Sequence, residues 1–257
     1  MSDNILTRIM NERREDAAAR ERDISLAALR DAAVHRTHHS LTERLQTPGT
    51  HVVAEIKKAS PSAGVLRPDY QPADIARGYE AAGAAGISIL TEPNHFLGSG
   101  DHLKAIRSEV SIPILRKDFT CTPYDLYEAA AWQADVILLI VAALDPSELR
   151  DLYLEARCLK LDVLVEAHTE TECEVALNCE EAIVGINSRD LKTLKTDLAV
   201  AERIASMIPG DRLSIAESGI KTRDEVVRLQ ALGYEGFLIG ESLLREESPA
   251  NALKELL

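Results

Sequence analysis

The chain has 257 residues, 46% of them hydrophobic, and a formal net charge of −13 set by 29 basic and 42 acidic side chains. That length suits one large α/β domain whose core needs no disulfide or metal, and the acidic balance excludes a general nucleic-acid binder, which would carry a basic face. The most apolar run, Val136-Ile-Leu-Leu-Ile-Val141, is far too short to span a membrane, and an anionic substrate has to be gathered by local Lys, Arg and backbone N–H groups against the field of the whole molecule.

Residues 3 to about 47 are polar and helix-prone. Ile5, Leu6 and Ile9 make a short apolar stripe ahead of Asn11-Glu-Arg-Arg-Glu-Asp16, which predicts an N-terminal helical extension over 1–47, expected to pack across the mouth of whatever fold follows. The first residues lack the shape of a signal peptide. Cys121, Cys158, Cys173 and Cys179 show no C-x-x-C pairing and read as reduced thiols of a cytoplasmic protein. His35, His38 and His39 could share one helical turn, but no carboxylate or Cys stands beside them in the sequence. They read as a solvated loop or helix end rather than a metal site.

From residue 51 strand and helix patterns alternate. Strands are predicted near 51–57, 86–91, 113–118, 136–141, 161–166, 183–188, 212–217 and 236–240. Amphipathic helical patterns lie between them, among them 73–82 and 146–155, the latter opened by Asp145-Pro146-Ser147. Eight strand–helix units without a linker predict a closed (β/α)8 TIM barrel, with 1–257 as one domain. An open doubly wound sheet is the alternative, and no Gly-x-Gly-x-x-Gly follows the first strand to support it.

Five of these strands end in ionisable or amide side chains, where α/β folds place their chemistry. Glu55 and Lys57 are two apart and share a side, and Lys58 points the other way. Ser60-Pro-Ser-Ala-Gly64 is a loop that either closes on a ligand or only connects strand to helix. Pro113-Ile-Leu ends in Arg116-Lys117-Asp118, read as a wet, charged strand end. Glu166 and His168 share a side. Histidine is the usual base, but His168 lies past the apolar run and is placed outside the reacting set. Asn187 and Arg189 repeat the spacing, with Arg189 offering a planar fork to a carboxylate or phosphate. Glu217-Ser-Gly219 and Gly240-Glu-Ser242 have the glycines that a barrel phosphate site needs after its last two strands. Trp132, Tyr79 and Phe96 read as packing residues, Phe96 in a loop where it can also face a ring.

Six stretches together carry a resemblance: Glu55-Ile-Lys-Lys-Ala-Ser-Pro-Ser62, Leu115-Arg-Lys-Asp-Phe119, Leu164-Val-Glu166, Gly185-Ile-Asn-Ser-Arg-Asp-Leu191, Glu217-Ser-Gly-Ile220 and Gly236-Phe-Leu-Ile-Gly-Glu-Ser242. With the N-terminal extension, the chain resembles the indole-3-glycerol phosphate synthases of tryptophan biosynthesis over nearly its whole length. The resemblance implies closure of 1-(2-carboxyphenylamino)-1-deoxyribulose 5-phosphate to indole-3-glycerol phosphate with loss of CO₂ and water. It implies no cofactor and no metal, and a cytoplasmic monomer that acts on a small phosphorylated molecule, with no nucleic acid or membrane, open to a partner enzyme of the pathway. By motif, Lys117 is the general acid on the ketone and Glu166 handles protons in the dehydration. Lys57 binds the substrate's anionic end and is a second candidate acid, and Glu55 and Glu217 position the lysines and sugar hydroxyls. Ser60, Asn187 and Arg189 hold substrate; Ser218, Gly219, Gly240 and Glu241 cradle phosphate; Phe96, Phe119, Leu138 and Leu191 flank the anthranilate ring. Two nearby lysines in a dry site are expected to lower one another's pKa. Ala63 stands where many members carry Lys, Ser188 where Asn is common, and Glu92 where Asp is frequent.

Other readings are a phosphoribosylanthranilate isomerase, which needs a Cys that does not end the first strand here, a Schiff-base aldolase using Lys117 or Lys57, and a non-enzymatic barrel, for which so many ionisable strand ends have no use.

Overall fold

The computed structural model describes residues 5–34, 36–61, 64–67, 69–190 and 193–257. Eight parallel strands form a closed barrel: β1 (His51–Ile56), β2 (Gly86–Leu90), β3 (Ile114–Lys117), β4 (Val136–Ile140), β5 (Asp162–Ala167), β6 (Ile183–Asn187), β7 (Ser214–Glu217) and β8 (Gly236–Ile239). Each pairs with its neighbours in sequence, and β1 closes the ring by pairing both with β2, Val53 opposite Gly86, and with β8, His51 opposite Gly236. The predicted strands therefore hold to within one or two residues at each end, and the open-sheet alternative is excluded.

The strands read as continuous runs of Val, Ile and Leu because both faces are covered. Val53, Leu115, Leu138, Leu164, Ile183, Ile215 and Leu238 fill the interior. Their neighbours one residue away, such as Val52, Ile114, Leu139, Val165 and Ala216, pack outward with the surrounding helices. Glu55, Lys117, Glu166 and Glu217 continue the inward series at the mouth, two residues further along each strand, and Asn187 does so four residues beyond Ile183, past Gly185.

The helices are α1 (Ile5–Asp23), α2 (Leu26–Ala33), α3 (Leu41–Leu45), α4 (Pro72–Ala82), α5 (Gly100–Arg107), α6 (Pro123–Ala131), α7 (Pro146–Cys158), α8 (Glu170–Ala176), α9 (Ala199–Ile204), α10 (Arg223–Ala231), α11 (Glu241–Leu244) and α12 (Pro249–Leu256). Several start on reciprocal caps, Thr122 with Asp125 before α6 and Asp145 with Glu148 before α7. The left-handed Gly83, φ 99°, ends α4.

The extension runs from one end of the barrel to the other. At the mouth, Ile5, Leu6 and Ile9 of α1 border a small cavity with Phe96 and Phe119. Along the side, α2 sets Leu29 against Tyr124 and Tyr127 of α6. At the floor, Leu41 and Leu45 of α3 join the interior layer. His38 is part of this wrap. It is half-buried, with Nδ1 3.6 Å from Asp135 and Nε2 3.6 Å from Asp162. The expectation of a solvated loop is thus corrected for His38: the two carboxylates come from β-strand starts about a hundred residues away, which local spacing cannot reveal. His35 lies outside the described residues.

Candidate active site

Lys117 ends β3 and points into the barrel. Its Nζ lies 2.5 Å from Glu166 Oε2 on β5 and 2.9 Å from Glu217 Oε2 on β7. Lys57 Nζ lies 2.5 Å from Glu55 Oε1 on β1. These groups face a cavity of about 1130 Å³ at the C-terminal end of the barrel. Among the described residues, every expected site residue lines it except Ser60. Ser60 instead borders the smaller cavity under α1. Leu191 lies outside the described residues, as does Ala63.

Burial alone would lower the Lys117 pKa, but Glu166, Glu217 and Glu55 raise it above the ordinary lysine value. This reverses the expected lowering: the nearest charges to Lys117 are carboxylates, not a second lysine. Burial also opposes ionisation of Glu166, yet Lys117 and His168 hold it well below the usual carboxylate range. Glu217 moves the other way. Burial, with the Glu166 charge beside it, outweighs Lys117 and raises it. Two carboxylates sharing one ammonium thus titrate apart. Glu217 Oε1 is buried without a hydrogen-bond partner among the described residues. Room for it comes from Gly185 on β6, where a Cβ would overlap that oxygen.

The residues expected to cradle phosphate occupy the turns after β7 and β8. Ser218 and Gly219 are both left-handed, φ 67° and 88°. A Cβ on Gly219 would come within 2.6 Å of Thr196 Cγ2. Gly240 precedes α11, and a Cβ there would meet Glu55 Oε1 at 2.6 Å, so its bareness also makes space for Glu55. The Glu241 carboxylate is taken by Arg245 at 2.8 Å and lies 3.5 Å from Arg189 Nη2. That leaves its backbone N–H, not its side chain, as the group suited to an anion. Arg189 also donates to the Leu194 carbonyl, and its N–H is received by Asn187 Oδ1 at 2.9 Å.

On the opposite wall Phe96 and Phe119 stand 6.1 Å apart between centroids. Glu92 sets Phe96: fully buried, its carboxylate accepts the N–H groups of Asn94, His95 and Phe96 at 2.7–2.9 Å. His95 in turn meets Glu12 of α1 at 2.7 Å. Tyr79 and Trp132 are packing residues outside this site; Trp132 lies under the Arg116 guanidinium at 4.3 Å.

Two features escaped the sequence. Arg116 and Asp118 are not wet: they flank Lys117 on the outward face and are fully buried. There Arg116 bridges Asp118 at 3.1 Å and Glu128 at 2.8 Å, and Arg13 of α1 reaches Asp118 at 2.9 Å. Period two alone puts the neighbours of an inward Lys117 against the helices. The second is His168, set aside earlier as lying outside the reacting set. It sits directly against Glu166, Nε2 3.3 Å from Oε1. The signal was present as Glu166-x-His168 followed by Glu172 four residues on.

Comparison with known proteins agrees with this geometry. Solved barrels share the fold at low identity. The thiamine phosphate pyrophosphorylase of Pyrococcus furiosus matches with TM-score 0.61 and 15% identity over 84% of this chain and 96% of its own. The N-acetylmannosamine-6-phosphate 2-epimerase of Clostridium perfringens matches with TM-score 0.62 and 15% identity over 81% and 92%. Much nearer are indole-3-glycerol phosphate synthases. That of Rhodospirillum rubrum is 44% identical over all of both chains, and that of Desulfosudis oleivorans is 44% identical over 99% of this chain and 98% of its own. The indole-3-glycerol phosphate synthase family model matches residues 6–256, and the chain belongs to that family.

Proposed function

We propose that this barrel mouth carries out the family's ring closure with Lys117, Glu166 and Lys57 as the working groups. The carrying observation is the Lys117 ammonium held by Glu166 and Glu217 at the head of a cavity that has aromatic rings on one wall and two glycine turns on the other. The substrate is 1-(2-carboxyphenylamino)-1-deoxyribulose 5-phosphate. Its phosphate meets the backbone of Ser218, Gly219, Gly240 and Glu241, and its aromatic ring lies by Phe96, Phe119 and Leu138, with Leu191 as a fourth contact. Ser60, Asn187 and Arg189 hold the chain between. Lys57 balances the ring carboxylate, and Glu55 holds Lys57.

Lys117 donates its proton to the ketone oxygen as the ring carbon bonds to the carbonyl carbon. The new alkoxide is more basic than an amine, so a raised lysine pKa still permits transfer. Loss of CO₂ restores the aromatic ring. The hydroxyl then leaves as water, taking a proton from Lys57 once the carboxylate it balanced has gone as CO₂, while Glu166 accepts the proton released from the new ring. Each positioned acid or base contributes about 10²–10⁴-fold.

The same proposal takes the chain as one domain, 1–257, working as a cytoplasmic monomer. All the site's side chains come from one chain, and Leu6, Met10, Leu41 and Leu45 of the extension share apolar clusters with the barrel. A pathway-enzyme partner enters the proposal as a surface association. The test is indole fluorescence with the carboxyphenylamino substrate. Lys117→Ala should lower kcat by about 10²–10⁴-fold with little change in KM. Lys57→Ala should mainly raise KM. A Lys117→Ala enzyme that keeps most of its kcat removes the central role.

A further inference from the structure

A second line of ionisable groups runs beside the Lys117 cluster and has no place in the scheme above. His168 is the first residue after β5. Its backbone N–H donates to Glu172 Oε2 at 2.8 Å, Nδ1 lies 3.2 Å from the same oxygen, and Nε2 lies 3.3 Å from Glu166 Oε1. The imidazole is almost wholly enclosed, whereas Glu172 reaches solvent from the first turn of α8. Lys117 grips the other oxygen of Glu166. Glu166 is therefore hydrogen-bonded on one side by an ammonium and, on the other, stands in ion-pair contact with an imidazole whose Nε2 has no hydrogen-bond partner among the described residues and whose far nitrogen lies against a carboxylate.

We propose that His168, clamped by Glu172, is a positioning residue that fixes the rotation of the Glu166 carboxylate and keeps it ionised until it takes the substrate proton. The inference rests on Glu166 being the proton acceptor. A carboxylate on a strand end rotates about its last bond, and Lys117 alone fixes a single oxygen. A cation on the second oxygen completes the grip. It also makes the protonated carboxyl acidic, so that Glu166 gives up its proton again after turnover. The charged groups facing His168 are Glu166 and Glu172, with Lys117 behind Glu166. The short turn Val141–Ala143 that packs on α8 supplies none. Burial would lower the imidazole pKa, but the two carboxylates outweigh it and raise it to about 10, which leaves a cation throughout the neutral range. Fastening α8 needs only the backbone N–H bond from His168 to Glu172; the ring turned inward onto Glu166 is surplus to that task.

The experiment is the pH dependence of kcat for the wild type, His168→Asn, Glu172→Gln and Glu166→Gln, read by indole fluorescence. His168→Asn should move the acidic limb of kcat up by roughly 1–2 pH units with KM little changed, so the loss is confined to the acid side of the profile while alkaline kcat is kept. Glu172→Gln is isosteric and partly exposed, and should move the limb the same way by less, which keeps the test open if the Asn variant fails to fold. In ¹⁵N spectra the His168 ring should stay doubly protonated past pH 8, and Glu166→Gln should bring its titration down. Equal losses of kcat at every pH, or profiles that overlay the wild type in both variants, overturn the proposal. Glu166→Gln separates the two levels. If it keeps wild-type kcat, the role of Glu166 itself fails; if it is inactive while both other variants keep the wild-type profile, the role of His168 alone fails.

Discussion

At Gly185 the missing side chain is what lets Glu217 stand beside Lys117. Gly185→Ala puts a methyl onto Glu217 Oε1 and within 3.0 Å of Leu164 Cδ1, so the carboxylate must swing away. We expect kcat to fall by at least about ten-fold, with the fold retained and KM nearly constant. Wild-type kinetics in Gly185→Ala would mean that the position of Glu217 is not critical. Gly219→Val should act on binding instead. It strains a left-handed residue by roughly 1–2 kcal/mol and drives a branched side chain toward Thr196. Titration with inorganic phosphate should show weakened affinity in a folded variant, and unchanged affinity would move the phosphate elsewhere. Lys117, Glu166 and Glu217 could be singled out in the sequence because each closes an apolar run and period two decides which way it points. His168 could be set beside Glu166 by the same period, but its second partner, Glu172, is decided by where α8 starts. The direction of the Lys117 shift was misread for a related reason: a run of residues shows which charges are near in sequence, not which are near across the barrel.

Among the elements, α1 does more than border the mouth. Leu6, Ile9 and Met10 are buried, and Arg13 enters the buried Arg116–Asp118–Glu128 cluster whose other side is Lys117. Arg20 adds bonds to Asp125 and Glu128 of α6. Deleting residues 1–40 should therefore leave a barrel that folds but melts lower, with a raised KM. It also removes the Ser40 cap of α3 and the contacts of Arg36 with the carbonyls of Ala134 and Leu159. A narrower test is Arg13→Leu, which strips one partner from a buried pair. Breaking such a pair costs about 3–5 kcal/mol, less here because Arg116 and Thr91 still hold Asp118. A urea midpoint equal to the wild type would show that this bridge adds nothing. The strands and the long helices α4 and α7 were legible from period and caps. The burial of α1 was legible only as a stripe, because Arg13, Arg14 and Arg20 reach partners more than a hundred positions away.

For the molecule as a whole, pH dependence of stability should be set partly at the barrel floor. Asp135 and Asp162 raise His38 to about 9, above the ordinary value near 6.5. Its contribution to stability is then fully present below about pH 6.5 and is lost as pH rises through about 9. His168 adds a component of the same sign at somewhat higher pH, since Glu166 and Glu172 raise it to about 10. The urea midpoint of the wild type should thus decline across that window. His38→Gln should flatten the lower part of the decline and leave the upper part. Equal slopes in the two proteins would count against the floor contact. The barrel itself was legible from eight repeated units, whereas the sealing of its floor was not, because Leu41 and Leu45 look like any short amphipathic turn.

Those two leucines also impose an order of events during synthesis. Leu41 lies 3.5 Å from where a Cβ on Gly86 of β2 would stand, and Leu45 2.9 Å from the corresponding point on Gly236 of β8. The last strand of the ring is made nearly two hundred residues after α3. On a ribosome the segment that emerges early must therefore wait, undocked, until the final strand arrives. Chaperone binding to the nascent chain should accordingly persist on residues 36–45 until residues 236–239 have cleared the exit tunnel.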